Sequence, residues 1–306
     1  MSDYSEKLKA SAEEAGRIAA DYLPENKGLA AELMESMAYS VNNGGKRLRP
    51  VLLLESFRAC GGEKELEKML VEPYMAALEY IHSYSLVHDD LPEMDNDMYR
   101  RGKLTTHAKF GHAQGVLAGD GLLNYAYETA GKAFQNAMAS GNETALRRTI
   151  GAFNVLTNKA GAYGMVGGQS VDVALTGKSI DAPTLEYIYE NKTSALIEAA
   201  LMIGGILAGA DEERIALLEK IGSACGRAFQ IKDDILDETG TLEEIGKPVH
   251  SDLNNNKTTY VTLFGLEKAR EDAENLCLRA EKMLGSFCSS DSFLSWLIAY
   301  MTKRVK

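Results

Sequence analysis

Two aspartate-rich segments, each directly after an apolar helical run, constrain this chain more than any other feature of its sequence. The first reads His-Asp-Asp-Leu-Pro-Glu-Met-Asp at 88–95, and the second reads Gln-Ile-Lys-Asp-Asp-Ile-Leu-Asp at 230–237. Carboxylates are rare beside apolar residues unless they are solvated, paired or bound to metal. Divalent cations relieve their mutual repulsion, and Mg²⁺ is usually held by a few carboxylates together with substrate phosphates. The pattern therefore predicts diphosphate chemistry.

The second segment can present its acids on one face of an unbroken helix. Asp233 and Asp237 are four residues apart and so are offset by only about 40° around the helix axis. Gln230 lies on the same stripe one turn earlier, and Asp234 is rotated to the side, where we expect it to reach a second ion or a water. A solvated acidic face is the alternative, and it is disfavoured because apolar residues interleave with the acids.

The first segment needs a break in its helix to act as one site. Asp89 and Asp95 are six residues apart and would point about 240° away from each other on a regular helix. Pro92 cannot continue the helix without losing a backbone hydrogen bond, so we expect a turn that returns Asp95 to Asp89. His82 lies near the Asp89 stripe two turns earlier, although a single histidine on an apolar helix is more often a satisfied core residue.

Groups suited to bind anions lie near both segments. Arginine offers a fork of donors that matches phosphate oxygens, and lysine offers a point charge. For either of the two basic groups, at 44–50 and at 100–102, a solvated surface patch is an equally good interpretation of the group alone. The candidates are Lys46 and Arg49 at a helix start preceded by two glycines, Arg100 and Arg101 just after the first segment, and Lys192 with Thr193 inside an apolar helix.

The rest of the chain predicts an all-α fold in a single domain over residues 1–306. Alanine, leucine, glutamate and lysine dominate the periodic segments, and no alternating pattern predicts a strand. We expect one helix over 142–174 and another over 257–284. The polar stretch 238–256 follows the second acidic segment directly and is either a lid over the site or an ordinary surface loop.

Composition and charge exclude several classes of function. The formal net charge is −11 with no compensating basic stripe, which argues against a nucleic-acid partner. The four cysteines show no metal-ligand spacing and predict reduced thiols. The first residues lack the apolar core of a signal peptide, and no apolar run is long enough to span a bilayer. We expect a cytoplasmic protein without a membrane span.

Taken together, these segments resemble the isoprenyl (polyprenyl) diphosphate synthase family, and within it the short-chain bacterial farnesyl diphosphate synthases. The resemblance runs from about residue 28 to the end of the chain. It implies a single large bundle of roughly ten or more helices around a deep central cavity, and it implies a homodimer that binds about three Mg²⁺ ions per active site. It rests on seven segments in the family's order, at 44–50, 82–102, 168–172, 192–193, 229–237, 246–247 and 255–260.

The resemblance also assigns roles to individual residues of this chain. The expected metal ligands are Asp89, Asp95, Asp233 and Asp237, with Asp90 and Asp234 in support. The expected isopentenyl diphosphate site comprises Lys46, Arg49, His82 and Arg101. The expected allylic diphosphate site comprises Arg100, Lys192, Thr193, Gln230 and Lys247, with assistance from Lys257. Tyr84 and Ser85, which precede the first aspartate by five and four residues, are expected to control product length.

The activity implied by the resemblance is a Mg²⁺-assisted ionisation of dimethylallyl or geranyl diphosphate, followed by condensation with isopentenyl diphosphate. We expect farnesyl diphosphate as the product, and geranylgeranyl or geranyl diphosphate is the alternative within the family. A terpene cyclase also uses aspartate-rich helices, but it does not need the basic set that binds a second, non-allylic diphosphate. A regulatory subunit with a decayed site is a non-enzymatic alternative, disfavoured by the intact acidic segments.

Overall fold

The computed structural model describes residues 2–239 and 258–302, and within these ranges the chain is almost entirely helical. The predicted all-α fold is therefore confirmed. The α-helices are α1 (Ser2–Asp21), α2 (Ala31–Val41), α3 (Leu48–Ala59), α4 (Glu72–Asp89), α5 (Thr106–Phe110), α6 (His112–Ala139), α7 (Glu143–Ala160), α8 (Met165–Leu175), α9 (Ala182–Ile188), α10 (Ala195–Ala208), α11 (Glu212–Thr239), α12 (Tyr260–Phe264), α13 (Leu266–Leu284) and α14 (Phe293–Thr302).

A few short elements interrupt the helices. A 3₁₀ turn at Lys64–Leu66 and a π-helical turn at Glu67–Val71 lead into α4, and a second π-helical turn, Tyr189–Ser194, joins α9 to α10. The strands β1 (Tyr99–Arg100) and β2 (Lys103–Leu104) pair antiparallel in a small hairpin. This hairpin was not predicted from the sequence, because its two-residue strands are too short to show an alternation of apolar and polar residues.

Two of the predicted helices are each divided in the structure. The segment predicted as one helix over 142–174 forms α7 and α8, with a turn at 161–164 that contains two glycines. The segment predicted over 257–284 is divided between α12 and α13 at Gly265. This glycine has a φ of 82°, and its N–H donates to the carbonyl of Val261, which ends the short helix α12.

The chain divides into two compact units. The first unit runs up to Phe153 and also includes Ile206–Gly209, and the second comprises Asn154–Gly205 and the described residues from Ala210 onward. The boundary falls within α7 and near the end of α10. The first unit contains the first acidic segment, and the second unit contains the other.

In the first unit, α4 packs along α6 and is buried on almost all sides. Large side chains such as Tyr74 and Tyr80 are fully enclosed, and their hydroxyls donate to backbone carbonyls of Thr149 and Ala19. A stripe of small residues at helical spacing on α6 lets the two helices approach closely. Its buried members include Ala118, Ala126, Ala130, Ala133 and Ala137.

In the second unit, α11 packs along α13. The buried face of α13 repeats every three or four residues, as an amphipathic helix requires, at Ala269, Ala273, Cys277, Ala280 and Leu284. This packing holds α11 in place and so fixes which of its acidic residues point away from the core. Within the described ranges, none of the helices has both the length and the hydropathy that crossing a membrane requires.

Candidate active site

The first acidic segment forms a tight turn at the end of α4. The helix ends at Asp89, and Pro92 follows within the turn. The N–H of Asp95 donates to the carbonyl of Asp89 at 2.9 Å, and the N–H of Asn96 donates to the carbonyl of Leu91 at 3.0 Å. Asn96 has a φ of 55°, a left-handed conformation that asparagine tolerates. The predicted return of the chain from Asp95 to Asp89 is therefore present in the backbone.

Asp90, beside the last residue of α4, is bound by the hairpin rather than exposed. Nε of Arg100 donates to its two carboxylate oxygens at 2.7 and 2.9 Å, and Asp90 is buried. Burial raises the pKa of the Asp90 carboxyl, and the Arg100 guanidinium opposes that shift. In this structure the two groups neutralise each other. That arrangement does not fit the expectation that Asp90 supports a metal ion while Arg100 binds the allylic diphosphate.

Three of the residues expected to bind isopentenyl diphosphate form a basic cluster in the first unit. Burial, followed by the charges of Arg49 and Arg101, holds the pKa of His82 well below its ordinary value. Burial also lowers the pKa of Arg49, opposed by Glu79. The Nε donor of Arg49 is buried and makes no hydrogen bond within the described chain. Clustered cations with an unsatisfied buried donor are suited to an anionic ligand. Lys46, the fourth predicted member, is exposed just before α3.

The two glycines before α3 make room for Arg101. Its guanidinium donates to the carbonyl of Gly44. Gly45 has a φ of 125°, and a Cβ at this position would come within 2.5–2.9 Å of the guanidinium atoms. A side chain at Gly45 would therefore both strain the backbone and displace Arg101.

A neighbouring arginine has a structural role that the sequence did not reveal. Arg47 precedes α3 with a φ of 47°, and its buried guanidinium pairs with Glu79 of α4 and donates to the carbonyl of Val41. This ion pair fixes the start of α3, and with it Arg49, against α4. Glu79 was the one indication of this ion pair in the sequence, because a carboxylate within an apolar helical run requires a buried cation as its partner.

The second acidic segment lies near the end of α11 and divides between two faces of that helix. Asp233 is exposed and Asp237 is partly exposed, as their spacing predicted. Asp234 is 4% exposed and points into the second unit. The structure therefore places Asp234 on the buried side of the helix and not on the exposed side assumed in the expectation that it reaches a second ion or a water. Ile231 and Ile235 place this side of α11 against the core.

Protein donors surround the carboxylate of Asp234. The hydroxyl of Tyr189 and the N–H of Tyr260 both donate to Oδ2, the latter at 2.7 Å. Nε2 of Gln230 donates to Oδ1 at 3.3 Å. A buried carboxylate needs such donors to offset its lost hydration. Neither tyrosine was predicted from the sequence to contact Asp234, because both are distant from it along the chain and no local pattern connects them.

The residues expected to bind the allylic diphosphate meet at a cleft in the second unit. The cleft has a volume of about 100 Å³, and Asp172, Lys192, Thr193 and Gln230 are among the residues that line it. Nζ of Lys192 donates to the carboxylate of Asp172 at 2.5 Å. Oγ1 of Thr193 donates to Oε1 of Gln230 at 2.9 Å. The structure thus brings Lys192, Thr193 and Gln230 together, whereas Lys247 and Lys257 lie outside the described residues.

This geometry combines two acidic segments with two sets of anion-binding side chains, and comparison with known proteins identifies the family. The sequence profile of the polyprenyl synthetase family matches residues 30–285. The chain belongs to the polyprenyl synthetase family. It is 41% identical over 276 residues to a farnesyl diphosphate synthase of Micrococcus luteus, covering 90% of each sequence.

Solved structures of polyprenyl synthetases have the same fold. A farnesyl/geranylfarnesyl diphosphate synthase of Zymomonas mobilis matches with a TM-score of 0.83 and 30% identity, covering 99% of each chain. A geranyltransferase of Helicobacter pylori, solved with magnesium and isoprenyl diphosphate, matches with a TM-score of 0.82 and 29% identity, covering 97% of this chain and 96% of that one.

The acidic residues are suited to bind Mg²⁺, the metal ion that this family's chemistry implies. Asp233 and Asp237 offer oxygens on one accessible face of α11, and the turn after α4 returns Asp95 to Asp89. Within residues 2–239 and 258–302, no group of three or more acidic, histidine or cysteine side chains forms a preassembled metal cage. Mg²⁺ does not require one, because it keeps several waters and takes part of its coordination from substrate phosphates.

The two residues expected to control product length lie on α4. Tyr84 is 5% exposed, its ring meets that of His88 edge-on with centroids 5.8 Å apart, and its hydroxyl makes no hydrogen bond within the described chain. Burial raises the pKa of Tyr84. Ser85, one turn before Asp89 and on the same stripe, donates to the carbonyl of His82 at 3.0 Å.

Proposed function

We propose that this chain is a short-chain prenyltransferase that condenses isopentenyl diphosphate with dimethylallyl or geranyl diphosphate to give farnesyl diphosphate. The observation that carries this proposal is the presence of two separate sets of anion-binding side chains, one built on Arg49, His82 and Arg101 and the other on Lys192 and Thr193. A terpene cyclase binds one diphosphate and has no use for the first set. Relatives described as farnesyl diphosphate synthases support the same conclusion.

We assign the leaving diphosphate of the allylic substrate to the acidic segments and to the cleft of the second unit. Asp89, Asp95, Asp233 and Asp237 would hold Mg²⁺ through their carboxylate oxygens, and Mg²⁺ bound there would supply positive charge against the charge of the departing diphosphate. Lys192 adds a positive charge, which must first be released from Asp172. The Gln230 oxygen faces the developing allylic cation, and Thr193 holds that oxygen in position.

The basic cluster of the first unit binds the non-allylic diphosphate and aims its double bond. Arg49 and Arg101 carry the positive charge, since His82 is kept neutral by its surroundings. A neutral imidazole acts as a hydrogen-bond partner rather than as a cation, so His82 orients the ligand more than it attracts it. After the new carbon–carbon bond forms, we infer that the released diphosphate accepts the proton lost from the isopentenyl unit.

Several coarser properties belong to the same proposal. We infer that the 306 residues act as one catalytic domain to which both acidic segments contribute, and that the enzyme is a cytoplasmic homodimer. We expect about three Mg²⁺ ions per site, whose positive charge would offset most of the combined negative charge of one diphosphate and the four carboxylates. Geranylgeranyl diphosphate is the second candidate product, because geranylgeranyl diphosphate synthases are also among the relatives at about 41% identity.

A turnover assay with defined substrates tests the proposal. Purified protein is incubated with isopentenyl diphosphate, either dimethylallyl or geranyl diphosphate, and Mg²⁺, and the products are separated by chromatography. We expect C15 product from both primers. The variants Asp89→Ala and Asp233→Ala should each reduce turnover by about a thousandfold or more, since each removes a ligand for the charge-stabilising metal. Near-normal rates in both variants would refute the assignment of the acidic segments.

A further inference from the structure

The π-helical turn Tyr189–Ser194 holds the two residues that the proposed function assigns to the allylic diphosphate, Lys192 and Thr193. A π turn widens the helix by one residue, is less favourable than regular α-helix and is frequently found at functional sites. Here the hydroxyl of Ser194, at its end, donates to the carbonyl of Tyr189, at its start, at 3.0 Å. Because π-helical geometry is less favourable than α-helix, contacts from outside the turn are needed in addition to this internal hydrogen bond to keep its shape.

One side of the turn is held by backbone packing. Gly168 of α8 lies so close to the turn that a Cβ there would overlap the backbone nitrogen of Lys192. This contact fixes the backbone at Lys192, and Asp172 of the same helix holds the Lys192 side chain, but neither contact sets the angle of the Thr193 side chain.

A second set of contacts, a closed ring of hydrogen bonds, joins Tyr189 at the start of the turn to Thr193 near its end. The hydroxyl of Tyr189 donates to the buried carboxylate of Asp234, and the amide of Gln230 donates to the other oxygen of the same carboxylate at 3.3 Å. The hydroxyl of Thr193 then donates to the carbonyl oxygen of Gln230 at 2.9 Å. Thr193 is four positions after Tyr189, and the backbone of the π turn between them closes the ring.

This ring also fixes the orientation of the Gln230 amide. A carboxylate can only accept hydrogen bonds, so the Gln230 nitrogen must face Asp234 and its oxygen must face Thr193. That oxygen is the group which the proposed mechanism places beside the developing cation. Asp234 is itself held by the N–H of Tyr260 at 2.7 Å, which leaves its carboxylate little freedom to move.

We propose that Tyr189 is a positioning residue for the allylic diphosphate site, which acts through Asp234 and Gln230 to set Thr193. Its hydroxyl donates to Asp234, and it acts on the site through that carboxylate. The inference rests on the proposed function, because it concerns the same site. Its consequence is selective: loss of the Tyr189 hydroxyl loosens the allylic site of the second unit and leaves the basic cluster of the first unit intact.

The test is the variant Tyr189→Phe, which removes only the hydroxyl. We expect KM for geranyl diphosphate to rise roughly tenfold, the scale of one lost hydrogen bond to a charged acceptor, while KM for isopentenyl diphosphate changes less than about twofold. Tyr187→Phe is the matched control, since Tyr187 is an exposed tyrosine two residues earlier on α9, and it should leave both constants unchanged. An equal change in both KM values for Tyr189→Phe would mean a merely structural role.

A double-variant cycle tests the path through Gln230. If the hydroxyl acts through the ring, the double variant Tyr189→Phe/Gln230→Ala should have nearly the same KM for geranyl diphosphate as Gln230→Ala alone. If the two fold-changes in KM multiply in the double variant, the residues act independently and the inference is overturned. Should thermal melting show that Tyr189→Phe is unfolded, Asp234→Asn interrupts the same ring with a side chain of equal size. The same selective rise in KM is expected there, and unchanged constants would overturn the inference. Wild-type protein that makes no product at all would instead refute the proposed function.

Discussion

Replacing Tyr84 with alanine should lengthen the prenyl product. Helix α4 runs unbroken from Tyr84 to Asp89, so the two Cα atoms are separated by about 7.5 Å along the helix axis, the length of one to two isoprene units. Under the proposed function, a chain that grows away from the metal-bound diphosphate meets this buried ring. Truncation to alanine removes the whole phenol, which is larger than the five-carbon unit added at each condensation.

The structure also indicates that this variant will fold. Truncating a buried aromatic residue to alanine costs about 3–5 kcal/mol when the space stays empty. Part of this cost is offset, because the Tyr84 hydroxyl is buried without a hydrogen-bond partner within the described chain, a defect worth about 1–3 kcal/mol. The net loss of about 0–4 kcal/mol is smaller than the stability of a typical native protein, about 5–15 kcal/mol.

The assay is chromatography of the products formed from geranyl and isopentenyl diphosphates, with Tyr84→Phe as the matched control. The phenylalanine variant keeps the ring and should still yield C15, with a slightly higher melting temperature because the unpaired hydroxyl is gone. The alanine variant should yield mainly C20. Identical C15 output from a folded alanine variant would show that Tyr84 does not limit chain length.

Two further predictions follow from charges in the two units. Arg49→Ala should raise KM for isopentenyl diphosphate by roughly 10- to 100-fold, because a buried charge-assisted contact is lost. KM for geranyl diphosphate should stay within about twofold of the wild-type value. Equal effects on both KM values would contradict the assignment of Arg49 to the isopentenyl diphosphate site. Glu198 is buried, and burial raises its pKa to about 7 from an ordinary value of 4.5, although Lys159 opposes the shift. Because the folded state holds this proton more tightly, the free energy of unfolding should fall as pH rises from about 4.5 to 7. Glu198→Gln should remove roughly 2–3 kcal/mol of that fall, measured by urea unfolding at pH 5 and pH 8. Parallel pH profiles for the variant and the wild-type protein would contradict this prediction.

The sequence predicted those features that depend on spacing along a single helix or on one backbone constraint. The shared face of Asp233 and Asp237 follows from the helical period, and the turn that returns Asp95 to Asp89 follows from Pro92. Both are local. Neither requires knowledge of which element packs against the segment.

The features that the sequence did not predict depend on partners distant in the chain. Whether Asp234 faces water or the core is decided by the packing of α11, although its position between Ile231 and Ile235 was an available signal. The pairing of Asp90 with Arg100 requires a hairpin too short to show alternation. The π-helical turn at Lys192 differs from α-helix by one residue of hydrogen-bond register, which residue periodicity does not reveal.

The most direct test is a crystal structure of the protein grown with Mn²⁺ in place of Mg²⁺ and with pyrophosphate, using the anomalous signal of manganese to locate each ion. We expect manganese peaks within coordination distance of Asp89, Asp95 and Asp233, with pyrophosphate oxygens bound to ions at both acidic segments. Manganese bound to only one segment, or pyrophosphate bound away from both, would contradict it.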